Sequence, residues 1–558
     1  MAIINIEKMK TMKVYKYAFI AAAVMTAAAC NDIDDIEPQG QYLNSDQLQE
    51  SNSLAPSRAE AAFSGMFSMM GQPDYLASRD RADDFGFIMS ALSLDAEGPD
   101  LVMPNSGYNW FSTACEYTSR NANYWNPYLR YLACYTQLKM ANDIVSSFPT
   151  DTEDSVAINK MAQARAIRAF DYMAMAPYFQ FNYQTSKDKP CVPIVTPETV
   201  DYTNNPRATV EEVFNFIMDD LNYAIEKLDV NRTEKTRINK AVAYALRARA
   251  NLMMGNWSDA ANDAKNAIDI ATTEGLQPAS ISDVSTPAFY DLAEKNWIWG
   301  IDVTKDMLLG GNKLYMTAAS WISPFSGDGY APACQCYASI NNLLYAKIPS
   351  TDVRKGWWVD ENLHSPLLST VTWDGVTGDA ISTLEIRNVK EAFTPYTNVK
   401  FGKASGIGTS VNDSDFPLIR MEEMYLTWIE GLAKGGSEAQ ARTELEKFVK
   451  TYRDPSYTIP TSRSLADEIW FQRRVELWGE GLAMFDVMRL QKPLVRFHEN
   501  EASNFPEAFK FNMAENDGWL LMRFPQTEMN TNLAIIDNTD GQQPLPGQNG
   551  QLRDGVTD

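Results

Sequence analysis

A mostly α-helical scaffold of tetratricopeptide-like helix pairs, carrying one large loop-rich insertion with short strands, is the fold class this sequence predicts. Three observations point to it. Residues 241–270 place Tyr244, Ala248, Gly255, Trp257, Ala260, Ala264 and Ala267 at the spacings of two antiparallel helices, with small residues where the helices approach and Gly255 where the first ends. The alternation returns far along the chain at residues 421–433, 439–449 and 469–488. Between these blocks, residues 286–415 lose helical periodicity and are punctuated by Gly310, Gly311, Gly327, Gly329, Gly356, Gly375, Gly378, Gly402, Gly406 and Gly408.

The chain has 558 residues, 45% hydrophobic and 22% charged, enough to bury one or two substantial cores. Its formal net charge of -23 repels phosphate backbones, so no nucleic-acid partner is expected. Only two histidines are present, His364 and His498, which removes His-rich zinc sites and most imidazole acid/base chemistry.

Taken in order, the elements begin with an address. Lys13 and Lys16 precede an apolar run from Tyr17 to Ala29, and Ala27-Ala28-Ala29 stand before Cys30, which reads residues 1–29 as a secretory signal. The run of about 13 residues is too short to cross a bilayer, and no later segment approaches 18 unbroken apolar residues. Cys30 after three small residues resembles a bacterial lipobox, whose cysteine is acylated, and residues 30–53 then form a lipidated flexible tether. Residues 54–558 form a single domain, with the helical scaffold at about 54–285 and 416–536 and the ligand-binding insertion at about 286–415.

Ala59, Ala62, Phe63, Met66 and Phe67 recur at helical spacing. Asp74 to Trp125 reads as loop, interrupted by Gly86, Gly98, Pro99, Pro104 and Gly107 and rich in aromatics. Trp125, Tyr128, Leu129, Leu132 and Ile144 mark a helix, and Ala164 to Ala176 another, which Pro177 should end or kink for want of an amide donor. Pro190 to Pro197 is extended, and Trp297, Trp299 and Ile301 alternate as in a short strand. Asp537 to Asp558, rich in Gly, Gln and Asp, is expected to be pinned on the surface or frayed. Cys115, Cys134, Cys191, Cys334 and Cys336 are odd in number, and Cys334-Gln335-Cys336 lacks the Cys-x-x-Cys spacing, so buried free thiols are expected.

Several segments together resemble one family, the SusD-like nutrient-binding lipoproteins of the Bacteroidetes outer membrane. Ala164-Arg165-Ala166-Ile167-Arg168-Ala169-Phe170-Asp171-Tyr172 is similar to the family's EARFLRAYYY helix, and Cys191-Val192-Pro193-Ile194-Val195 to the VPLV that follows. Phe416-Pro417-Leu418-Ile419-Arg420-Met421-Glu422-Glu423 resembles IPLIRYAEV. Gln472-Arg473-Arg474-Val475-Glu476-Leu477, with Glu480-Gly481 and Phe485 to Arg489, resembles the family's ERRxEL and EGxRxxDLxR segments. Asn31-Asp32-Ile33-Asp34-Asp35 resembles the acidic surface-export signal of such lipoproteins. Gln472 for Glu, Leu482 for His, and Pro177 depart from the pattern. The resemblance implies a surface-exposed, lipid-anchored outer-membrane protein that captures oligosaccharides without catalysis and delivers them to a SusC-like TonB-dependent transporter. An oligopeptide-binding, RagB-like member is the first alternative and a surface glycosidase the second.

The same residues have a reading of their own. Arg168, Arg420, Arg473, Arg474 and Arg489 lie on amphipathic helices near Glu422, Glu423, Glu476, Glu480 and Asp486, a pattern that predicts guanidinium–carboxylate forks joining helix pairs. Glu476 and Glu480 share a helix face, as a glycosidase pair would, yet Arg473 and Arg474 would hold both ionised where a general acid needs a raised pKa. No catalytic residue is therefore expected.

A sugar site needs exposed aromatic planes and a few polar partners. Two loops supply both: residues 105–111, with Tyr108, Asn109 and Trp110, and residues 320–330, with Trp321, Phe325 and Tyr330. These six are the candidate ligand-binding residues, because members of the resembled family place ligand aromatics ahead of the first tetratricopeptide helices and in the mid-chain insertion. Trp257, Trp428, Trp470 and Trp478, at helical spacing, are expected in the core. No cofactor is expected. Calcium is the one ion left open, through Asp100, Asp328, Asp413 and Asp415, although no loop spells its 12-residue pattern.

The anchor is tested by metabolic labelling with palmitate: the wild-type chain should take up label and a Cys30→Ala chain should not. Undiminished labelling of that variant contradicts the anchor.

Overall fold

The computed structural model describes residues 56–385 and 393–558, with positions 47, 50 and 51 before them. The signal segment, Cys30 and nearly all of the tether lie outside the described residues. The described chain is mostly helical, as expected.

Local chemistry sets the helix ends. Helix α1 spans Pro56–Ser68, α2 Phe87–Glu97, α3 Trp125–Ser146 and α4 Ser155–Phe179, the last opened by the Asp154 carboxylate accepting from the Val156 amide. Helix α5, Val210–Lys227, begins in a reciprocal capping box between Thr209 and Glu212. Helices α6, Lys240–Met254, and α7, Trp257–Thr273, are the pair seen in the sequence. Gly255 ends α6 at φ 77°, a conformation that side chains disfavour. Helices α8, Met421–Lys434, α9, Glu438–Tyr452, α10, Leu465–Glu476, and α11, Ala483–Arg489, complete the scaffold.

Each helix from α3 to α9 packs on the next, so α7 is followed in space by α8 although 147 residues lie between Thr273 and Met421. The α7–α8 approach is close because both sides are small. A Cβ on Gly431 would lie 2.6 Å from the Trp257 carbonyl oxygen and 2.8 Å from the Ala261 nitrogen. Ala260, Ala264 and Ala267 are fully buried along this seam.

The intervening segment is tied to the scaffold by β1, Trp297–Ile301, paired antiparallel with β2, Phe416–Arg420; both are buried along their whole length. Two shorter ribbons join Leu101–Val102 to Ser339–Ile340 and Thr372–Trp373 to Val376–Thr377. The first draws residues 99–111 against the insertion. Among the described residues no helix is long and apolar enough to cross a membrane.

Three expectations change. The stretch 74–125 holds helix α2, whose flanking Gly86 and Gly98 are its two caps rather than interruptions, and whose residues are nearly all buried, so no polar face marks its period. Pro177 does not end α4, which runs on through Phe179; its ring is accommodated in the final turns. Of the four helical tryptophans, Trp470 and Trp478 are buried, whereas Trp257 and Trp428 are half-buried against Lys434 and Lys265. The C-terminal tail is pinned: Arg474 Nη1 donates to Asp554 at 2.6 Å, and Asn538 Nδ2 donates to the Phe179 and Met522 carbonyls.

The predicted forks are present and buried. Arg168 and Arg165 share Asp220, Arg473 and Arg489 share Asp486, Arg489 also grips Glu430 at two 2.7 Å contacts, and Arg249 holds Glu423. Asp171 on α4 is the exception: it is 1% exposed and its Oδ2 has no hydrogen-bond partner. Burial pushes its pKa well above the usual 3.8. Because the folded-state pKa is the higher one, the carboxyl favours the fold below about pH 4 and loses that contribution as pH rises above it. Asp171→Asn should therefore gain melting temperature over wild type at pH 7, by a few degrees, and gain less at pH 4. Calorimetry at the two pH values checks this; an equal or negative shift at pH 7 contradicts it.

Candidate functional site

The loop 104–111 is folded by Asn109. Its Nδ2 donates to the Pro104 carbonyl at 2.7 Å and its Oδ1 accepts the Phe111 amide at 3.0 Å. With the chain so turned, Phe111 is driven inward while Tyr108 and Trp110 stand outward, 66% and 40% exposed. Phe111 meets Trp321 edge to face, ring centroids 4.9 Å apart, so the two loops singled out in the sequence are brought into contact.

The six candidates divide into layers. Trp321 is fully buried, its indole N–H donating to the Ala82 carbonyl at 3.2 Å. It therefore supports the face rather than presenting its own ring. Phe325, also fully buried, packs near Trp373 and Phe393, and Asn109 is 3% exposed with its amide spent on the loop. Tyr330 is half-buried and stacks flat on Trp321 at 4.1 Å and 5°. Its phenol is pushed up to about 12 by burial, an effect the Trp110 side chain partly offsets. Tyr108, Trp110 and Tyr330 are thus the ring positions that reach solvent, and Trp321, Phe325 and Asn109 hold them.

Residues that the sequence did not mark as ligand-binding complete the face. The Arg81 guanidinium lies 5.2 Å from the Trp110 ring and 4.8 Å from the Trp125 ring, and Arg79 lies 5.3 Å from Trp125. Trp125 meets Tyr128 edge to face at 5.2 Å, and neighbouring Tyr124 is 45% exposed. Asp83 holds Arg81 at 2.8 Å, leaving Arg81 Nε and Asp83 Oδ1 buried without hydrogen-bond partners. Burial raises the Asp83 pKa, partly offset by Arg81. Tyr315 donates to Asp328 at 2.9 Å beside Tyr330. A faint sequence signal existed: Arg79-Asp80-Arg81 inside an otherwise acidic loop, immediately ahead of the aromatic-rich stretch.

The backbone of loop 74–84 is itself unusual, with Asp74, Ser78 and Asp80 all at φ between 49° and 56°. Asp84 holds the turn by accepting the Leu76 and Ala77 amides, and Asp80 reaches Asn312 of the insertion. The result is a fixed platform that combines exposed Tyr108, Trp110 and Tyr124 with half-buried Trp125 and Tyr330. Such a surface can stack on the apolar face of a ring and bond to its hydroxyl rim.

A second concavity, a groove of about 650 Å³, is lined by residues 277–296. Its floor is main chain bound to buried charge: the Ala279 amide donates to Glu422 and its carbonyl accepts from Arg453. Tyr290 is its single aromatic ring, and Glu294, pushed up to about 7 chiefly by burial, already accepts the Tyr290 and Asp291 amides. The groove lacks the stacked planes that distinguish the first face.

The carboxylate pair Glu476 and Glu480 is sealed from solvent. Glu476 receives Arg354, Arg420 and Arg453, while Glu480 receives Arg420 and Lys400. Despite burial, these cations hold both carboxyls below the usual range, the reverse of what a general acid requires. Among the calcium candidates, Asp100 is gripped by Arg474, and Asp415 accepts the Leu292 and Val303 amides. Among the described residues no three carboxylate, imidazole or thiol groups are placed to hold a metal ion together. Cys115, Cys134, Cys191 and Cys336 are buried free thiols, and Cys334 is a half-buried one.

Comparison with known proteins agrees with the architecture. A family model described as the SusD family matches residues 340–540, and one described as starch-binding, associating with outer membrane, matches residues 89–252. A SusD-like protein of Bacteroides ovatus is 23% identical over 381 residues, 63% of this chain; the match spans 64% of that relative, just under two thirds of its length. The fold is similar to that of a SusD-like carbohydrate binding protein from Bacteroides vulgatus, with TM-score 0.66 and 21% identity over 86% of this chain and 97% of the other. It is also similar to a laminarin binding SusD-like protein, with TM-score 0.61 and 17% identity over 86% and 98% of the two chains.

Proposed function

Since the chain belongs to the SusD-like family, we propose that it binds an oligosaccharide at the bacterial cell surface, held to the outer membrane through Cys30, and releases it uncut to a SusC-like TonB-dependent transporter. The observation that carries this reading is the fixed aromatic face: Trp110 and Trp125 clamped by Arg81, with Tyr108, Tyr124 and Tyr330 beside them. Each indole offers a plane for a sugar ring, and the exposed Tyr108 and Tyr124 phenols offer donors and acceptors for its hydroxyls. Because the rings are already oriented by packing, little conformational entropy is lost on binding.

The engagement of the acids on this face favours capture over cleavage. Asp83 is committed to Arg81, Asp328 to Tyr315, and the Glu476–Glu480 pair is buried. A ligand that contacts both the face and the transporter would bias the pair toward a closed arrangement, since it binds that state more tightly.

Binding of the mature chain to a panel of oligosaccharides and oligopeptides, laminarin included, tests the reading. At least one oligosaccharide should bind, be recovered intact, and lose about tenfold or more in affinity to Trp110→Ala with Trp125→Ala, while the melting temperature stays nearly unchanged. Binding confined to peptides, release of reducing ends, or unaltered affinity of the double variant contradicts it.

A further inference from the structure

The groove of about 650 Å³ at residues 277–296 has the size of a small-molecule site and shares no lining residue with the aromatic face. A single segment wraps round it, and that segment is fastened along its length. The Gln277 amide donates to the Lys295 carbonyl at 3.1 Å and joins the two ends. Between them, Trp357 Nε1 donates to the Val284 carbonyl at 3.1 Å, the Ala288 amide to the Lys400 carbonyl at 2.9 Å, and the Asp415 amide to the Tyr290 carbonyl at 3.0 Å. The cup is therefore formed before any ligand arrives.

Its charged lining is lopsided, with Asp283, Asp291 and Glu294 against Lys295. Asp283 accepts the Ser280 amide and hydroxyl at 2.9 and 2.8 Å, and Asp291 Oδ1 accepts the Ala293 amide at 2.7 Å. Glu294 is only half spent. Its Oε1 accepts the Tyr290 amide at 2.9 Å and the Asp291 amide at 3.4 Å, while Oε2 has no hydrogen-bond partner among the described residues, although the side chain is half-buried. A carboxyl oxygen drawn partly out of water with nothing bonded to it forgoes free energy that a donor in the groove would supply. The three carboxyls disfavour an anion, and Tyr290 alone offers no stacked pair of planes.

We infer that this groove is a second binding site, independent of the aromatic face, that takes a primary ammonium group at Glu294 Oε2, with Asp283 and Asp291 adding negative charge and the Tyr290 ring walling the carbon skeleton. An ammonium brings a charge and three donors to a carboxylate that has an acceptor to spare. Amino sugars and lysine side chains both present that group. The charged groups that face Glu294 are Asp291 on its own segment, Arg420 at the end of β2, and Lys235, whose Nζ donates to the Glu294 carbonyl. Arg420 is already shared among Glu422, Glu476 and Glu480, so it does not answer Oε2. With its carboxyl at about 7, chiefly through burial, Glu294 is mostly neutral at pH 6 and increasingly ionised above it. An ammonium that needs the carboxylate therefore binds better as pH rises through 7.

Calorimetric titration of the mature chain with Nα-acetyl-lysine amide, glucosamine and N-acetylglucosamine tests this. At pH 7 at least one of the two amines should bind, at least about tenfold more tightly than N-acetylglucosamine, whose nitrogen carries no charge. The tighter of the two amines identifies the source as peptide or amino sugar. Its affinity should rise about fivefold from pH 6 to pH 7, as the Glu294 carboxyl passes from about one-tenth to about one-half ionised. Glu294→Gln keeps an oxygen for the two amides and should lose about tenfold in affinity together with the pH dependence. Asp291→Asn, which leaves Glu294 in place, should lose about threefold, and it decides the matter should the first variant not fold. Trp110→Ala with Trp125→Ala should leave amine binding unchanged, so this site and the aromatic face stand or fall separately. Failure of both amines to bind, equal binding of N-acetylglucosamine, or undiminished affinity in the groove variants overturns the inference. Amine affinity lost in the tryptophan double variant places the amine on the aromatic face and overturns it as well.

Discussion

Three arginines converge on the carboxylate of Glu476, and the rest of the molecule is arranged around that meeting. Arg453 binds it through two contacts of 2.8 Å, and Arg354 and Arg420 approach at 3.3 Å, all with no solvent exposure to speak of. Arg420 passes on to Glu480 and Glu422, Lys400 joins at Glu480, and Asp352 balances Arg354. Four cations thus face four carboxylates in a dry interior. These eight groups come from five places: the mid-chain insertion, the end of β2, the start of α8, the segment after α9, and the end of α10 with the turn that follows it. Taking such charges out of water costs several kcal/mol per ion, so the cluster does not make the protein stable in proportion to its bonds. What it does is admit only one assembly of those segments, because any other leaves a buried charge unpaired.

That constraint reaches the surface through short links. Arg474, next to the cluster on α10, grips Asp100, and Trp478 donates to the Asp100 carbonyl, fixing the start of the strand that carries the chain into loop 104–111. Asn341 ties the facing strand of the insertion to the Pro99 carbonyl. The two loops that build the aromatic face are thereby set at a fixed separation, closed by Phe111 against Trp321 and by Trp321 against Tyr330. A face built on paired charges and stacked rings is stiff, which suits a surface that must meet a flat-sided ligand without rearranging.

Legibility from the sequence followed how local the physics is. The α6–α7 pair was readable because Gly255 and the Ala260, Ala264, Ala267 seam are consequences of helix packing alone. The forks were readable because arginine and carboxylate fell at helical spacing; that Glu476 and Glu480 would be pinned followed from the same count, although the partners found are Arg354, Arg420, Arg453 and Lys400 rather than Arg473 and Arg474. Helix α2 was not readable, since a helix buried on nearly every side shows no periodic polar face. The two aromatic loops were found, but which ring faces out was not: Trp110 and Trp321 have similar neighbours in sequence, and only Asn109 turning its loop decides that one is exposed and the other buried. Arg79, Arg81 and Trp125 escaped because they join the face through tertiary contacts. The C-terminal tail, whose Gly-, Gln- and Asp-rich composition left it either pinned or frayed, is held by Arg474 through Asp554.

The frame is tested most directly by equilibrium unfolding of Glu476→Gln against wild type. Removing that single charge leaves Arg354 and Arg453 short of their partner, and the account predicts a loss of about 3–5 kcal/mol in one cooperative transition. A change within about 0.5 kcal/mol, the size typical of an ordinary surface substitution, would contradict it.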